Sequence, residues 1–253
     1  MVAATATVAT SSHIREKRMI DFHTHILPEM DDGSESVEES IQMLDLSAGQ
    51  GVKWMVATPH FYADREDPKT FLERRHEAHV RLEQGIGGRE DLPKIMLGAE
   101  VRYYEGISQS KELQKLKIED SNLLLLEMPF IPWSDRMLHE LVLAQKQSGL
   151  QIVLAHIERY FSFQGWGFWK KLEQTGVLIQ SNANFFIQNR TRKKAMHLME
   201  KGRIQFLGSD CHNMTLRRPN MGEAAAVLTE RFGNDALKWL EEQKSFLPIN
   251  MKK

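Results

Sequence analysis

Short apolar runs that stop on an ionisable residue recur along this chain, and they constrain its fold more than any other feature. Five finish at His23-Thr24-His25, Thr58-Pro59-His60, Gly98-Ala99-Glu100, Leu126-Glu127 and Ala155-His156. A sixth, Phe206-Leu207-Gly208, leads into Ser209-Asp210-Cys211-His212. Runs of this length, rich in Val, Ile and Leu, read as parallel strands buried on both faces. Such strands accommodate charge at their ends and not in their middles. In a parallel sheet those ends lie on one side, so the imidazoles and carboxylates converge.

The strand candidates are 19–23, 52–58, 94–101, 122–128, 151–155, 177–181 and 204–208, with helical segments between them. Ser36 caps a helix running to Ala48, with Glu39 at the capping-box spacing. Phe71, Ala78 and Leu82 form one stripe of the next helix. Met221, Ala225, Leu228 and Phe232 share a face of a late helix that stops at Gly233, a left-handed terminator. Asn234 then caps a short final helix through Leu240. No repeat, linker or Pro/Gly-rich boundary interrupts the series. A length of 253 residues suits one α/β barrel of about 250 residues. The expected fold is therefore a single-domain α/β chain, a distorted TIM-like (β/α)7 barrel, with an open doubly wound sheet as the alternative. Residues 1–18, Ala/Thr-rich at first, read as a flexible N-terminal extension before a domain over 19–253. Barrels of this class place their active sites at the C-terminal ends of the strands, where the ionisable residues fall here.

A net charge of −1 gives no whole-molecule attraction for nucleic acid or an anionic membrane. No apolar stretch approaches the roughly 20 residues that span a bilayer. The one cysteine, Cys211, rules out an internal disulfide framework and fits a reducing compartment, so a cytoplasmic location is expected.

His23 and His25, two apart in extended chain, point to the same side and can share one ion. His60 follows Pro59 at a strand end. Glu100 and Glu127 close runs with no other charge nearby, and a buried carboxylate without a cation is costly. His156, Asp210 and His212 complete the set. Asp31-Asp32-Gly33 reads equally as a turn or as a ligand source, with Asp31 the expected ligand. His76 and His79 sit at the margin of their helix's apolar stripe and read as surface residues. Any one of these signals has a bland explanation, but those explanations would have to hold independently at six strand ends. Mixed nitrogen and oxygen donors without thiolate suit manganese, iron or zinc, and the pattern points to a metal-dependent hydrolase.

Met19-Ile20-Asp21-Phe22-His23-Thr24-His25-Ile26-Leu27-Pro28 with Asp31-Asp32-Gly33 resembles the opening motif of the PHP (polymerase and histidinol phosphatase) superfamily. More narrowly, it resembles the bacterial tyrosine-protein phosphatases of capsule and exopolysaccharide operons. Ala57–His60, Gly98–Arg102, Leu126–Phe130, Ala155–Arg159 and Gly208–Asn213 resemble that branch's later motifs in order. Two departures are Ile157, where Pro is usual, and the sixth strand's Gln180-Ser181-Asn182-Ala183-Asn184-Phe185. The resemblance implies a PHP-type barrel binding three metal ions, typically manganese. One ion would take His23, His25, Glu100 and Asp210, and a second Glu100, Glu127 and His156. A third would take Asp31, His60 and His212. It also implies that Arg159 and Arg217 bind phosphate, while Asp210 and His212 stand as candidates for a general acid. The implied substrate is phosphotyrosine on a protein, the Tyr-rich tail of a bacterial tyrosine autokinase.

Three other readings remain at this point. A PHP-type small-molecule phosphatase would take a substrate like histidinol phosphate. Cys211 and Arg217 satisfy C-x5-R, the spacing of thiol-dependent tyrosine phosphatases, although the loop between them lacks the glycines that chemistry needs. A non-catalytic metal-bound docking module is the third.

Overall fold

The strands form as expected and pair in parallel throughout. The computed structural model describes residues 19–247; the expected extension over 1–18 lies outside the described residues, as do 248–253. The strands are β1 (Met19–Thr24), β2 (Val52–Ala57), β3 (His60–Phe61), β4 (Lys94–Leu97), β5 (Glu100–Arg102), β6 (Leu123–Glu127), β7 (Gln151–Leu154), β8 (Leu178–Asn182) and β9 (Phe206–Gly208). Between and after them run α1 (Val37–Gly49), α2 (Pro68–Ile86), α3 (Leu113–Leu116), α4 (Asp135–Ser148), α5 (Phe168–Thr175), α6 (Ala183–Ile187), α7 (Asn189–Glu200), α8 (Met221–Phe232) and α9 (Asn234–Glu242).

One sheet has the order β1-β2-β4 and the other β3-β5-β6-β7-β8-β9. The expected single strand over 94–101 is thus two, bent at Gly98-Ala99. Pro59 breaks the neighbouring strand in the same way, because it has no N–H to continue a ladder. The pairing resumes across both breaks: Gly98 N donates to Ala57 O at 2.8 Å and Glu100 N to Pro59 O at 3.0 Å. Gly98 is closely packed at the bend: a Cβ there would lie 3.2 Å from Ile118 and 3.4 Å from Thr58. The curl brings β9 back against β1. Asp210 N donates to His23 O at 2.8 Å, His25 N donates to Cys211 O at 2.9 Å, and Thr24 and Cys211 form a parallel bridge. That return distinguishes a distorted (β/α)7 barrel from an open doubly wound sheet.

Alternation along each strand supplies two cores. Leu124 and Leu126 of β6 pack in the larger one with helix residues such as Met43, Leu82 and Leu141. Leu123 and Leu125 join a smaller one with Ile20, Phe22, Val56, Val153 and Phe206, which takes no residue from α1–α9 and fills the space the strands enclose. Ser36 caps α1 by accepting from Glu39 N, while Glu39 reaches back to Glu35 N. The C-terminal end departs from expectation. Gly233 carries positive φ but ψ −135°, outside the left-handed helical well, and it precedes α9, so Asn234 is the first helical residue and not its cap. His76 is exposed as expected, whereas His79 is half-buried.

Gly208 permits the close approach of β9 to β1 and β8. A Cβ there would sit 2.6 Å from His23 Cβ and 2.9 Å from both Gln180 Nε2 and His23 N. Gly208→Ala is expected to cost about 1–3 kcal/mol by overpacking. A chemical-denaturation midpoint equal to that of the parent would contradict this.

Candidate metal and phosphate site

Every ligand expected from a strand end reaches one cleft at the C-terminal side of the barrel. His23 is on β1 and His25 just beyond it; His60 begins β3, Glu100 begins β5 and Glu127 ends β6. His156 follows β7, while Asp210 and His212 follow β9. Two of these residues adopt backbone that side chains other than glycine avoid: His156 has φ 33° and Asp210 φ 55°. Holding such residues in the left-handed region costs roughly 1–3 kcal/mol each. Here the conformation turns each side chain into the cleft immediately after its strand.

Glu100 is central. Its Oε2 lies 3.2 Å from His23 Nε2, 3.5 Å from His25 Nε2 and 2.9 Å from His60 Nδ1. Its Oε1 is 2.8 Å from His156 Nε2, which is 3.5 Å from Glu127 Oε1. Asp210 Oδ1 is 3.6 Å from both His23 Nε2 and His25 Nε2. Among the described residues, three overlapping groups bring their donor atoms within 4.8 Å of one another. They are His23, His25 and Asp210; His60, Glu100 and Glu127; and His25, Asp32, His60 and His212.

The electrostatics are frustrated without cations. Burial pushes Glu127 up to about 7, reinforced by the neighbouring charge of Glu100. Burial opposes the charged form of His25, yet Asp31 and Glu100 outweigh it and hold the ring at about 10. His156 is pushed down to about 4 by burial. Glu100 is held well below the usual carboxylate range, since His23, His25 and His156 overcome its burial. Glu100 Oε2, His60 Nδ1 and His212 Nε2 are buried without hydrogen-bond geometry to any partner. Imidazole nitrogens and carboxylate oxygens crowded in this way suit shared divalent cations.

The two carboxylates of the Asp31-Asp32 pair take different surroundings. Both carboxylate oxygens of Asp31 are engaged: Oδ1 accepts from Gly33 N at 2.9 Å, and Oδ2 from His60 N at 2.9 Å and His25 Nδ1 at 2.7 Å. Asp31 therefore orients His25 and fixes its tautomer. Asp32 takes the outward position, its Oδ1 3.5 Å from both His60 Nε2 and His212 Nε2. The sixth strand also does more than the sequence indicated. On β8, Gln180 Oε1 accepts from His156 N at 2.6 Å and lies 3.4 Å from His23 Nδ1. Asn182 Nδ2 donates to Asp210 Oδ2 at 2.7 Å. The available signal was three polar residues, Gln180, Ser181 and Asn182, in a strand whose neighbours are apolar.

Two guanidinium groups border the cluster. Arg159 and Arg217, each about one-third exposed, both pair with Asp210, Arg217 at 2.7 Å. Arg217 is set by a tight loop in which His212 N donates to Arg217 O at 2.8 Å and Asn213 Oδ1 accepts from Arg217 N at 3.0 Å.

Residues 19–245 match the family described as capsular polysaccharide synthesis, CpsB/CapC. The chain belongs to the CpsB/CapC family. It is 30% identical over 244 residues to the tyrosine-protein phosphatase YwqE of Bacillus subtilis, covering 92% of each chain. It is 28% identical over 248 residues to the tyrosine-protein phosphatase CpsB of Streptococcus agalactiae serotype III, covering 90% of this chain and 98% of that one. Its fold is similar to the crystal structures of YwqE from B. subtilis and CpsB from Streptococcus pneumoniae, described as metal-dependent tyrosine phosphatases. The TM-score is 0.77 at 26% identity, over 90% of this chain and 94% of that one. In this CpsB/CapC chain the C-x5-R spacing is a coincidence: Cys211 is fully buried, and burial pushes its thiol well above the ordinary range. That burial disfavours the thiolate which attack on phosphorus would need.

Proposed function

We propose that this chain is a metal-dependent protein-tyrosine phosphatase. The observation that carries the reading is Asp210, which stands between a cluster of imidazoles and carboxylates and two arginines, each about one-third exposed. That arrangement suits a phosphoryl group with cations on one side and guanidinium forks on the other. The names and similar fold of the relatives support the same chemistry.

The donor set supports up to three ions, manganese foremost, with iron or zinc also compatible. His25 Nδ1 is committed to Asp31, so His25 can serve one ion only, through Nε2. A consistent division gives His23, His25, Glu100 and Asp210 to one, and Glu100, Glu127 and His156 to a second. Asp32, His60 and His212 would hold a third. When bound, such ions supply Lewis acidity to the phosphoryl oxygens and acidify a water to serve as nucleophile. Arg159 and Arg217 contribute bidentate hydrogen bonds to the remaining phosphoryl oxygens and offset the charge that spreads over them. Asp210 and His212 are poorly suited as general acids. The Asp210 carboxyl lies well below the usual range because His23, Arg159 and other neighbours outweigh its burial. His212 Nδ1 faces the backbone carbonyl of Asp210 at 3.0 Å, so the neutral ring keeps its proton there and Nε2, 3.5 Å from Asp32 Oδ1, carries the lone pair that a cation would take. A phenol, with pKa near 10, leaves without the proton an alkoxide needs.

The partner in this reading is a phosphotyrosine protein of capsule or exopolysaccharide synthesis, a tyrosine autokinase tail being the finer expectation, and the location is cytoplasmic. Among the described residues no helix is long and apolar enough to cross a membrane. Elemental analysis and phosphotyrosyl-peptide turnover, before and after chelation, test the reading. Chelation should abolish turnover and manganese should restore it, with histidinol phosphate a poor substrate throughout. Turnover that persists in metal-free protein, or a preference for histidinol phosphate, would reject it.

A further inference from the structure

Beside the ligand cluster lies exposed aromatic surface that the chemistry above does not use. Phe130, three residues past Glu127, is 42% exposed, and Phe163, in the loop before α5, is 37% exposed. Their ring centroids are 6.1 Å apart. Phe130 also stacks on the fully buried Tyr160 at 5.5 Å and on His156 at 6.3 Å, with interplanar angles of 27° and 24°. Aromatic side chains bury large apolar area when they can, so two left half in water at the edge of a cleft imply a ligand that covers them.

The surface is held in place. Gln164 ties the two loops together: its Oε1 accepts from Trp133 N at 3.2 Å and its Nε2 donates to Ile131 O at 3.0 Å. Trp133 Nε1 donates to Pro129 O at 3.0 Å, and Met128 N donates to Tyr160 Oη at 3.0 Å. Phe130 thus presents a pre-positioned flat face next to His156, one of the cluster's own residues. A phosphoryl group seated at the cluster would place its ester substituent within stacking range of that face. A phenol ring can stack there with centroids about 4.5–7 Å apart, whereas an alkyl substituent has no face to offer.

We infer that Phe130 and Phe163 form a stacking shelf for the aryl group of the phosphomonoester, and that this shelf makes the site select aryl over alkyl phosphates. The inference rests on the phosphatase reading, because it takes the phosphoryl group to sit at the ligand cluster. Phe130 and Phe163 act as specificity-determining residues that touch the leaving group.

Calorimetric titration of the manganese-loaded protein with benzylphosphonate and methylphosphonate tests it without turnover. Benzylphosphonate keeps the ring of an aryl phosphate, with CH2 in place of the ester oxygen; methylphosphonate lacks the ring. The parent protein should bind benzylphosphonate more tightly by about two- to tenfold, and Phe130→Ala should erase most of that advantage. Methylphosphonate affinity and metal content should stay unchanged, and Phe130→Trp should restore the preference. Phe163→Ala, at an exposed ring, should erase part of it and serves as the second variant should Phe130→Ala fail to fold. Equal weakening of both phosphonates would overturn the shelf, since Phe130 would then only support His156. An aryl advantage that survives both alanine variants would also overturn it. Aryl preference in a protein that turns over no phosphotyrosyl peptide would support the shelf while rejecting the phosphatase reading.

Discussion

Glu100→Gln is expected to remove cation binding and turnover together. Glu100 Oε2 stands within 3.5 Å of the ring nitrogens of His23, His25 and His60, and Oε1 meets His156. Glutamine fills the same volume but carries no charge and only one acceptor oxygen. It can no longer bridge two cations, and its NH2 would face imidazole lone pairs. Losing several kcal/mol of Lewis-acid stabilisation corresponds to a fall in kcat/KM of about a thousandfold. Elemental analysis should find the variant depleted of metal under conditions that saturate the parent. A variant that keeps full metal content, with turnover near that of the parent, would remove Glu100 from its central role.

The arginines should behave differently. Arg159→Ala and Arg217→Ala are each expected to lower kcat/KM toward a phosphotyrosyl peptide by about a hundredfold, the scale of losing one preorganised charge donor. Metal content should stay at the parent's level, because neither residue belongs to the ligand set. Lysine at either position should recover only part of the loss, since a point charge cannot reproduce the planar fork. If metal content fell in step with activity, the arginines would be supports for Asp210 and not phosphate ligands.

Much of this was legible in the sequence because burial and periodicity are local signals. Leu123-Leu124-Leu125-Leu126 read as a strand buried on both faces, although Leu alone does not separate strand from buried helix, and Glu127 then fell at its end. The same logic placed His60, Glu100, His156 and Asp210 together without any knowledge of curvature. What escaped depended on geometry that no local window contains. The strand over 94–101 breaks at Gly98-Ala99, and its halves pair in different sheets. Asp31 and Asp32 are chemically identical, and only the approach of the amides of Gly33 and His60 decides which carboxylate turns inward. Gln180 and Asn182 lay on the one strand without a terminal ligand, where polar residues suggested no task. Their partners, His156 and Asp210, are 24 and 28 residues away.

The seam between β1 and β9 has a consequence for how the chain is made. Asp21 accepts from the amide of Ser209, 188 residues later, at 2.7 Å, and Asp210 bonds the carbonyl of His23 across the same junction. During vectorial synthesis His23, His25, Glu100, Glu127 and His156 all leave the ribosome before their final companions exist. Contacts this distant in sequence form late, after a large loss of chain freedom. Translation must therefore pass Asp210 and His212 before this chain can gather its full set of donors, so cation capture has to wait for the β1–β9 seam to close.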